Sequence, residues 1–215
     1  MIKLIGKTLS KDQLMMLCFC IIYLVGIIGF FTPFLRPVFL PMSGFILYLT
    51  TIGVILSSRQ KGKLLLFLSI AFWIGFTAEV IGVQTGILFG DYSYGSNLGF
   101  KFLGVPIVIG LLWGVLAVSS ASFLAQFPAL KKQAPFLAAL LMLGIDYIME
   151  PVAIASDFWS WNGAIVPLWN YICWFVIAWV LQIILKRGIF VESNKVFNLV
   201  FILLTVFFSL LNLYQ

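Results

Sequence analysis

The sequence predicts an all-α polytopic membrane bundle of about seven transmembrane helices, with a cytoplasmic N-terminus and two partly buried outer loops. Three observations predict it. The 215-residue chain is 63% hydrophobic and only 9% charged, with a mean hydropathy of +1.15. That composition leaves too little polar surface to cover a soluble domain of this size. Its apolar residues fall in runs able to cross a hydrocarbon core of about 30 Å. Its basic residues gather on alternate connections. No strand pattern interrupts the runs, so residues 1–215 read as one transmembrane bundle.

The elements follow in order. The first span, about 13–32, follows Lys3, Lys7 and Lys11 and lacks a small-residue cleavage site, so a retained helix is expected rather than a cleaved signal. A second, about 38–57, follows Arg36. The third, about 64–83, follows Arg59, Lys61 and Lys63 and carries Glu79 near its far end. The fourth and sixth, about 102–124 and 165–185, each hold a Val-Pro step near their start (Val105-Pro106 and Val166-Pro167). Proline is tolerated there because the first N–H groups of a helix lack an intrahelical partner. The fifth, about 135–150, carries Asp146 and Glu150. The seventh, about 196–213, has no lysine in its middle, which argues against a retinal Schiff base.

If seven spans alternate, one side of the membrane receives Lys3, Lys7, Lys11, Arg59, Lys61, Lys63, Lys131, Lys132, Lys186, Arg187 and Lys195, and the other only Arg36 and Lys101. This asymmetry places the N-terminus in the cytoplasm and the C-terminus outside, with a bacterial plasma membrane as the expected location. It also accounts for the net charge of +6 without any nucleic-acid partner.

The acids sort differently. Asp12 and Glu192 fall among the lysines, but Glu79, Asp91, Asp146, Glu150 and Asp157 gather in the outer half, where almost no cation is available. An ionised acid at mid-bilayer costs roughly 2.5–3.5 kcal/mol, so such a cluster must be shielded, protonated or used. Asp146 and Glu150 stand four residues apart, one above the other on a helix face. A carboxyl group buried without a cation tends to keep its proton and can donate it. The alternative for any one acid is a helix-end carboxylate satisfied by loop amides, strongest for Asp157.

What is missing narrows the chemistry. The chain has no histidine, which removes His-ligated zinc, histidine-box di-iron sites and an imidazole base. Cys18, Cys20 and Cys173 fall within spans and read as small apolar residues rather than thiolate ligands. No metal and no cofactor is expected; carboxyls, aromatics, amides and water remain.

Two outer connections resemble each other. Phe89–Pro106 reads "FGDYSYGSNLGFKFLGVP" and Ser156–Asn170 reads "SDFWSWNGAIVPLWN". Each has an aspartate, then aromatics alternating with serine, then glycine, then Val-Pro. They are too apolar for solvated connectors and are expected to fold back on the helix ends. Tyr92, Tyr94, Trp159 and Trp161 fit an interfacial aromatic belt. They also fit, with Trp113, Trp169 and Trp174, the walls of a pocket beside the acids, where an aromatic face stabilises a cation by about 0.5–2 kcal/mol.

The segments "AEVIGVQTGILFGDYSY", "LGFKFLGVPIVIGLLW", "GIDYIMEPVA" and "WSWNGAIVPLWNYICW" resemble the integral-membrane carotenoid biosynthesis family, which includes carotenoid 1',2'-hydratases and bisanhydrobacterioruberin hydratases. The resemblance covers about residues 73–180, the expected catalytic core. Ile165-Val166-Pro167 stands where that pattern has Gly-Val-Pro. The resemblance implies cofactor-independent hydration of the terminal C1=C2 double bond of an acyclic carotenoid end group to a tertiary alcohol. The chemistry agrees: proton addition at C2 leaves a tertiary cation at C1, and water attacks it.

Asp146 and Glu150 are then the expected acid/base pair, with Glu79 as third member. Asp91, Tyr92, Tyr94, Trp113, Tyr147, Trp159, Trp161, Trp169, Asn170 and Trp174 are the expected substrate-binding set, with Asp91 and Asp157 also candidates for organising loops or water. The partners would be a lipophilic carotenoid and water, with other membrane enzymes of the pathway as candidates. Three rivals remain at this point. Cyclisation would capture the same cation with an internal alkene. A Mg²⁺-dependent prenyltransferase would need more cations nearby than Arg36 and Lys101. A small proton or cation transporter would need acids continuing through the inner half.

Overall fold

A computed structural model describes residues 3–4, 7–163, 165–189 and 193–214; Glu192, placed above among the inner lysines, lies outside them. A short ribbon (β1 Lys3–Leu4, β2 Lys7–Thr8) precedes helix α1, Lys11–Phe31. Ser10 caps α1 through a reciprocal box. Its Oγ accepts from Gln13 N at 3.2 Å, and Gln13 Oε1 accepts from Ser10 N at 2.9 Å.

The expected second span is broken. A single turn, α2 (Arg36–Phe39), leads through Leu40–Met42 into α3 (Ser43–Ser57). Pro41 supplies the break, because its ring fixes φ and removes the N–H that a continuous helix would use. α3 has 15 residues, a rise of about 22 Å, and among the described residues six longer apolar helices reach span length. These are α1, α4 (Lys61–Thr85), α5 (Ile107–Leu124), α6 (Ala134–Ala155), α7 (Leu168–Ile184, with one π turn Leu185–Ile189) and α8 (Lys195–Tyr214).

The shorter α3 still takes its place in the alternation. Lys11 Nζ donates to Leu56 O, Asn194 Nδ2 to Ser57 O, and Lys186 Nζ to Lys131 and Lys132 O, so these ends share one face. At the opposite face Arg36 donates to Ala155 O, and α3 begins so close to the first long loop that a Cβ on Gly44 would lie 2.7 Å from Leu98 O.

Three helix ends differ from expectation, each for a local reason. α5 and α7 start at Ile107 and Leu168 because Pro106 and Pro167 adopt extended backbone and serve as N-caps. α6 continues through Pro151 to Ala155; a neighbouring-helix environment tolerates the lost backbone bond. Asp146 and Glu150 therefore lie inside a helix rather than at its end.

The two loops that resemble each other are paired. β3 (Tyr92–Tyr94) and β6 (Trp159–Trp161) form an antiparallel ladder with Tyr92 opposite Trp161, Ser93 opposite Ser160 and Tyr94 opposite Trp159. Side chains alternate across a strand, so the four rings turn inward and the two serines outward, matching their buried and exposed states. A second ribbon, β4 (Lys101–Phe102) with β5 (Val105–Pro106), tightens the approach to α5.

α5 is the central helix, packed on α3, α4, α6, α7 and α8. Its contact with α4 depends on a stripe of small residues around Glu79. A Cβ on Gly75 would lie 2.3 Å from the Trp113 ring, and one on Gly82 would lie 2.8 Å from the Tyr92 hydroxyl. Gly75, Glu79 and Gly82 stand at i, i+4 and i+7, one face of α4. The glycines clear the space in which two of Glu79's hydrogen-bond donors sit.

A candidate acid chamber beneath an aromatic cover

The three carboxyls expected to act together do meet. Glu79 from α4 and Asp146 and Glu150 from α6 are each at most 3% exposed. All three line one cavity, with Phe89, Tyr92, Tyr94, Ile109, Leu112, Trp159, Trp161, Asn170 and Trp174. The space open to the centre of a water molecule is about 20 Å³, enough for one water, since a single site needs roughly 10–15 Å³.

The hydrogen bonds treat the three acids unequally. Glu79 Oε2 accepts from the hydroxyls of Tyr92 (2.5 Å) and Tyr94 (2.7 Å), and its Oε1 accepts from Trp113 Nε1 (3.1 Å). Glu150 Oε2 accepts from Trp159 Nε1 (2.9 Å) and Trp161 Nε1 (3.0 Å), and its Oε1 from Asn170 Nδ2 (3.3 Å). Among the described residues, Asp146 is met by one donor, the same Asn170 amide, at 3.3 Å from Oδ2. Every inward ring of the cover thus ends on a carboxylate oxygen: the β3 tyrosines on Glu79, the β6 tryptophans on Glu150. Donors of this kind suit a charged acceptor, and Asp146 has the fewest.

Burial, then the nearby Glu79 charge and the bond to Glu79, push the Tyr92 hydroxyl well above its ordinary range. Burial and the Glu79 charge do the same to Tyr94. Both remain donors.

No basic side chain is among the described residues lining this cavity. The two cations expected on the acid-bearing side bond to backbone carbonyls instead, Arg36 to Ala155 O at 3.0 Å and Lys101 to Tyr94 O at 2.5 Å. They anchor the outer end of α6 and the end of β3. The outer aspartates hold the cover from outside. Asn162 Nδ2 donates to Asp91 Oδ2 at 2.7 Å, and Ser96 N and Oγ donate to Asp157 Oδ2 at 3.2 and 3.3 Å. Asp157 takes a left-handed backbone, φ 51°, which aspartate tolerates better than most residues.

Of the expected binding residues, Tyr92, Tyr94, Trp159, Trp161, Asn170 and Trp174 line the cavity. Trp113 backs it, stacked on Trp174 with centroids 3.8 Å apart and planes at 18°. Three lie elsewhere. Asp91 is on the outer surface of the cover. Tyr147 is 65% exposed on α6, against Tyr171. Trp169 is 49% exposed, donates to Ile87 O at 2.8 Å and faces a groove between α4 and α7. Phe89, Ile109 and Leu112 also line the chamber, and nothing in their local sequence marks them among so many apolar residues.

A second space adjoins the first. An apolar cavity of about 310 Å³ lies among α1, α2, α3, α5, α6 and α8, and it shares the walls Ile109, Leu112 and Trp159 with the acid chamber.

Helices of span length enclosing buried acids make this an integral membrane protein, a polytopic all-α bundle with an internal acid site. The chain belongs to the carotenoid biosynthesis protein family, whose pattern matches residues 36–214. That range takes in α2, α3 and α8, which help build the apolar cavity. The chain is also similar to the bisanhydrobacterioruberin hydratase of Haloarcula japonica, 26% identical over 149 residues, covering 65% of this chain and 50% of that protein. It therefore spans about half the length of that relative. No solved structure matches it.

Proposed function

We propose that the chain adds water across the terminal C1=C2 bond of an acyclic carotenoid end group, giving a tertiary alcohol, with Asp146 as acid and Glu150 as base. The observation that carries this reading is the unequal provision of the two carboxyls. Glu150 holds three N–H donors and Asp146 one, on a cavity the size of one water. The family match and the similarity to a protein named as a hydratase support the same reaction class.

Asp146 gives its carboxyl proton to C2; the π electrons form the new C–H bond and leave a tertiary cation at C1. The rings of Trp174, Tyr94 and Trp159 shelter it, each face contributing about 0.5–2 kcal/mol. Water beside Glu150 attacks C1 through an oxygen lone pair, and Glu150 takes the proton that the oxygen releases. Return of that proton to Asp146 through the next water resets the pair. No electron is transferred. Glu79 touches no reacting atom in this scheme; held by three donors, it positions the tyrosine side of the cover.

Expression in a lycopene-producing bacterium tests the reading. Pigment should gain one water per reacted end, with oxygen drawn from labelled water. Asp146→Asn and Glu150→Gln should remain folded in detergent and lose about 10²–10⁴-fold in turnover, the usual contribution of a general acid or base. Full activity in both variants refutes the assignment, and an isomerised product of unchanged mass means cyclisation instead.

A further inference from the structure

We infer that the substrate enters sideways from the lipid and that the protein encloses only its terminal segment, so that it reads an end group and is indifferent to the far end. This rests on the hydration reading for what happens at the acids, but its geometry stands on the apolar cavity. That cavity meets the acid chamber at Ile109, Leu112 and Trp159, which wall both spaces. It is also lined by Ile21 and Val25 of α1 and by Met42 at the start of α3, all exposed on the surface of the bundle and none lining the acid chamber. In a helix of span length, an exposed apolar flank faces hydrocarbon. The mouth therefore opens to lipid, while the paired β3 and β6 strands cover the chamber at the loop end.

The lining suits a hydrocarbon and little else. Its two hydroxyl-bearing residues both have partners: Tyr23 with Thr50 Oγ1 at 3.4 Å, and Ser43 with Phe39 O at 3.5 Å. The cavity volume sets how much enters. A 150 Å³ apolar cavity accommodates one benzene ring, so about 310 Å³ holds roughly twelve carbons by the same scale, about two isoprene units. A carotenoid chain is several times longer than that, and its remainder must leave through the mouth into the bilayer. One end then reacts per visit, and a molecule with two acyclic ends must leave and re-enter reversed.

Gly26 sits in the cavity wall on α1, where a Cβ would already lie 3.3 Å from Phe207. A leucine there fills the seat without touching the carboxyls.

The test uses the full chain in lipid nanodiscs with three probes sharing one acyclic end: lycopene, a monocyclic carotene, and a shorter triterpenoid polyene. Binding is read by quenching of tryptophan fluorescence and turnover by product mass. The three probes should agree in Kd and kcat/KM per acyclic end within about threefold, and Gly26→Leu should weaken all three by on the order of tenfold or more, the scale on which an apolar pocket discriminates. A more than tenfold preference for one length or far end overturns the inference, even if water is added. Equal binding without added water upholds it and refutes the hydration reading alone. If Gly26→Leu does not fold, the comparison of probes on the unaltered protein decides.

Discussion

Gly75→Ala tests whether the floor of the acid chamber is built from α4 outward. The added methyl would lie 2.3, 2.4 and 2.8 Å from Cγ, Cδ1 and Cβ of Trp113. Trp113 cannot yield easily: it is fully buried, stacked on Trp174, and bonded to Glu79. Either α4 and α5 separate or the indole shifts and gives up Glu79. Overpacking of this kind costs about 1–3 kcal/mol, and loss of a hydrogen bond to a charged group about 1.5–3 kcal/mol more. The sum, about 2.5–6 kcal/mol, corresponds to a fall in Tm of roughly 5–24 °C for a chain of this length. The matched control is Gly144→Ala on α6, where a Cβ meets nothing within 4 Å; there the loss of backbone freedom in the unfolded chain should make alanine neutral or stabilising by up to about 1 kcal/mol. Thermal unfolding of both variants in one detergent, with turnover in parallel, gives the comparison. Equal Tm values for the two would refute the claim that close glycine packing seats Trp113.

Because burial and the Glu79 charge raise Tyr92 and Tyr94, their neutral forms contribute stability that is complete below the ordinary tyrosine range and is lost as pH rises above about 10 toward their native values. Tyrosinate absorbance at about pH 10–11 should therefore be unchanged by Tyr92→Phe or Tyr94→Phe, while each variant unfolds at lower temperature at neutral pH through loss of a donor to Glu79. A drop in that absorbance would show that the hydroxyls are accessible. Tyr147→Phe, Trp169→Phe and Asp91→Asn should each keep turnover within about twofold, the scale of surface changes, since all three residues lie outside the chamber. A tenfold loss in any of them would extend the site beyond its present walls.

Much of this was legible along the chain because its causes are local. Apolar runs of about 20 residues report helices, since a continuous apolar segment in lipid satisfies its backbone within itself only as a helix. The four-residue step from Asp146 to Glu150 reports a shared face, whereas the two aromatic-serine-aromatic segments, expected only as loops folded back on the helix ends, form strands because each finds its ladder partner in the other. Helix ends were less legible: Pro106 and Pro167 set caps that apolar composition does not show, and Pro41 divides an otherwise unbroken apolar run.

By itself, then, the sequence determined a helical membrane bundle and the chemical types gathered toward one end of it, because burial in lipid and helix periodicity act over a few residues at a time. Only the tertiary structure decided that Tyr92 lies opposite Trp161, that Asn170 joins Asp146 to Glu150, and that α1, α3 and α8 help line an apolar space sharing walls with the acid chamber. Those relations join residues far apart in the chain, and they depend on which faces of equally apolar helices pack together. Side-chain shape and small-residue contacts such as Gly75 against Trp113 make that choice.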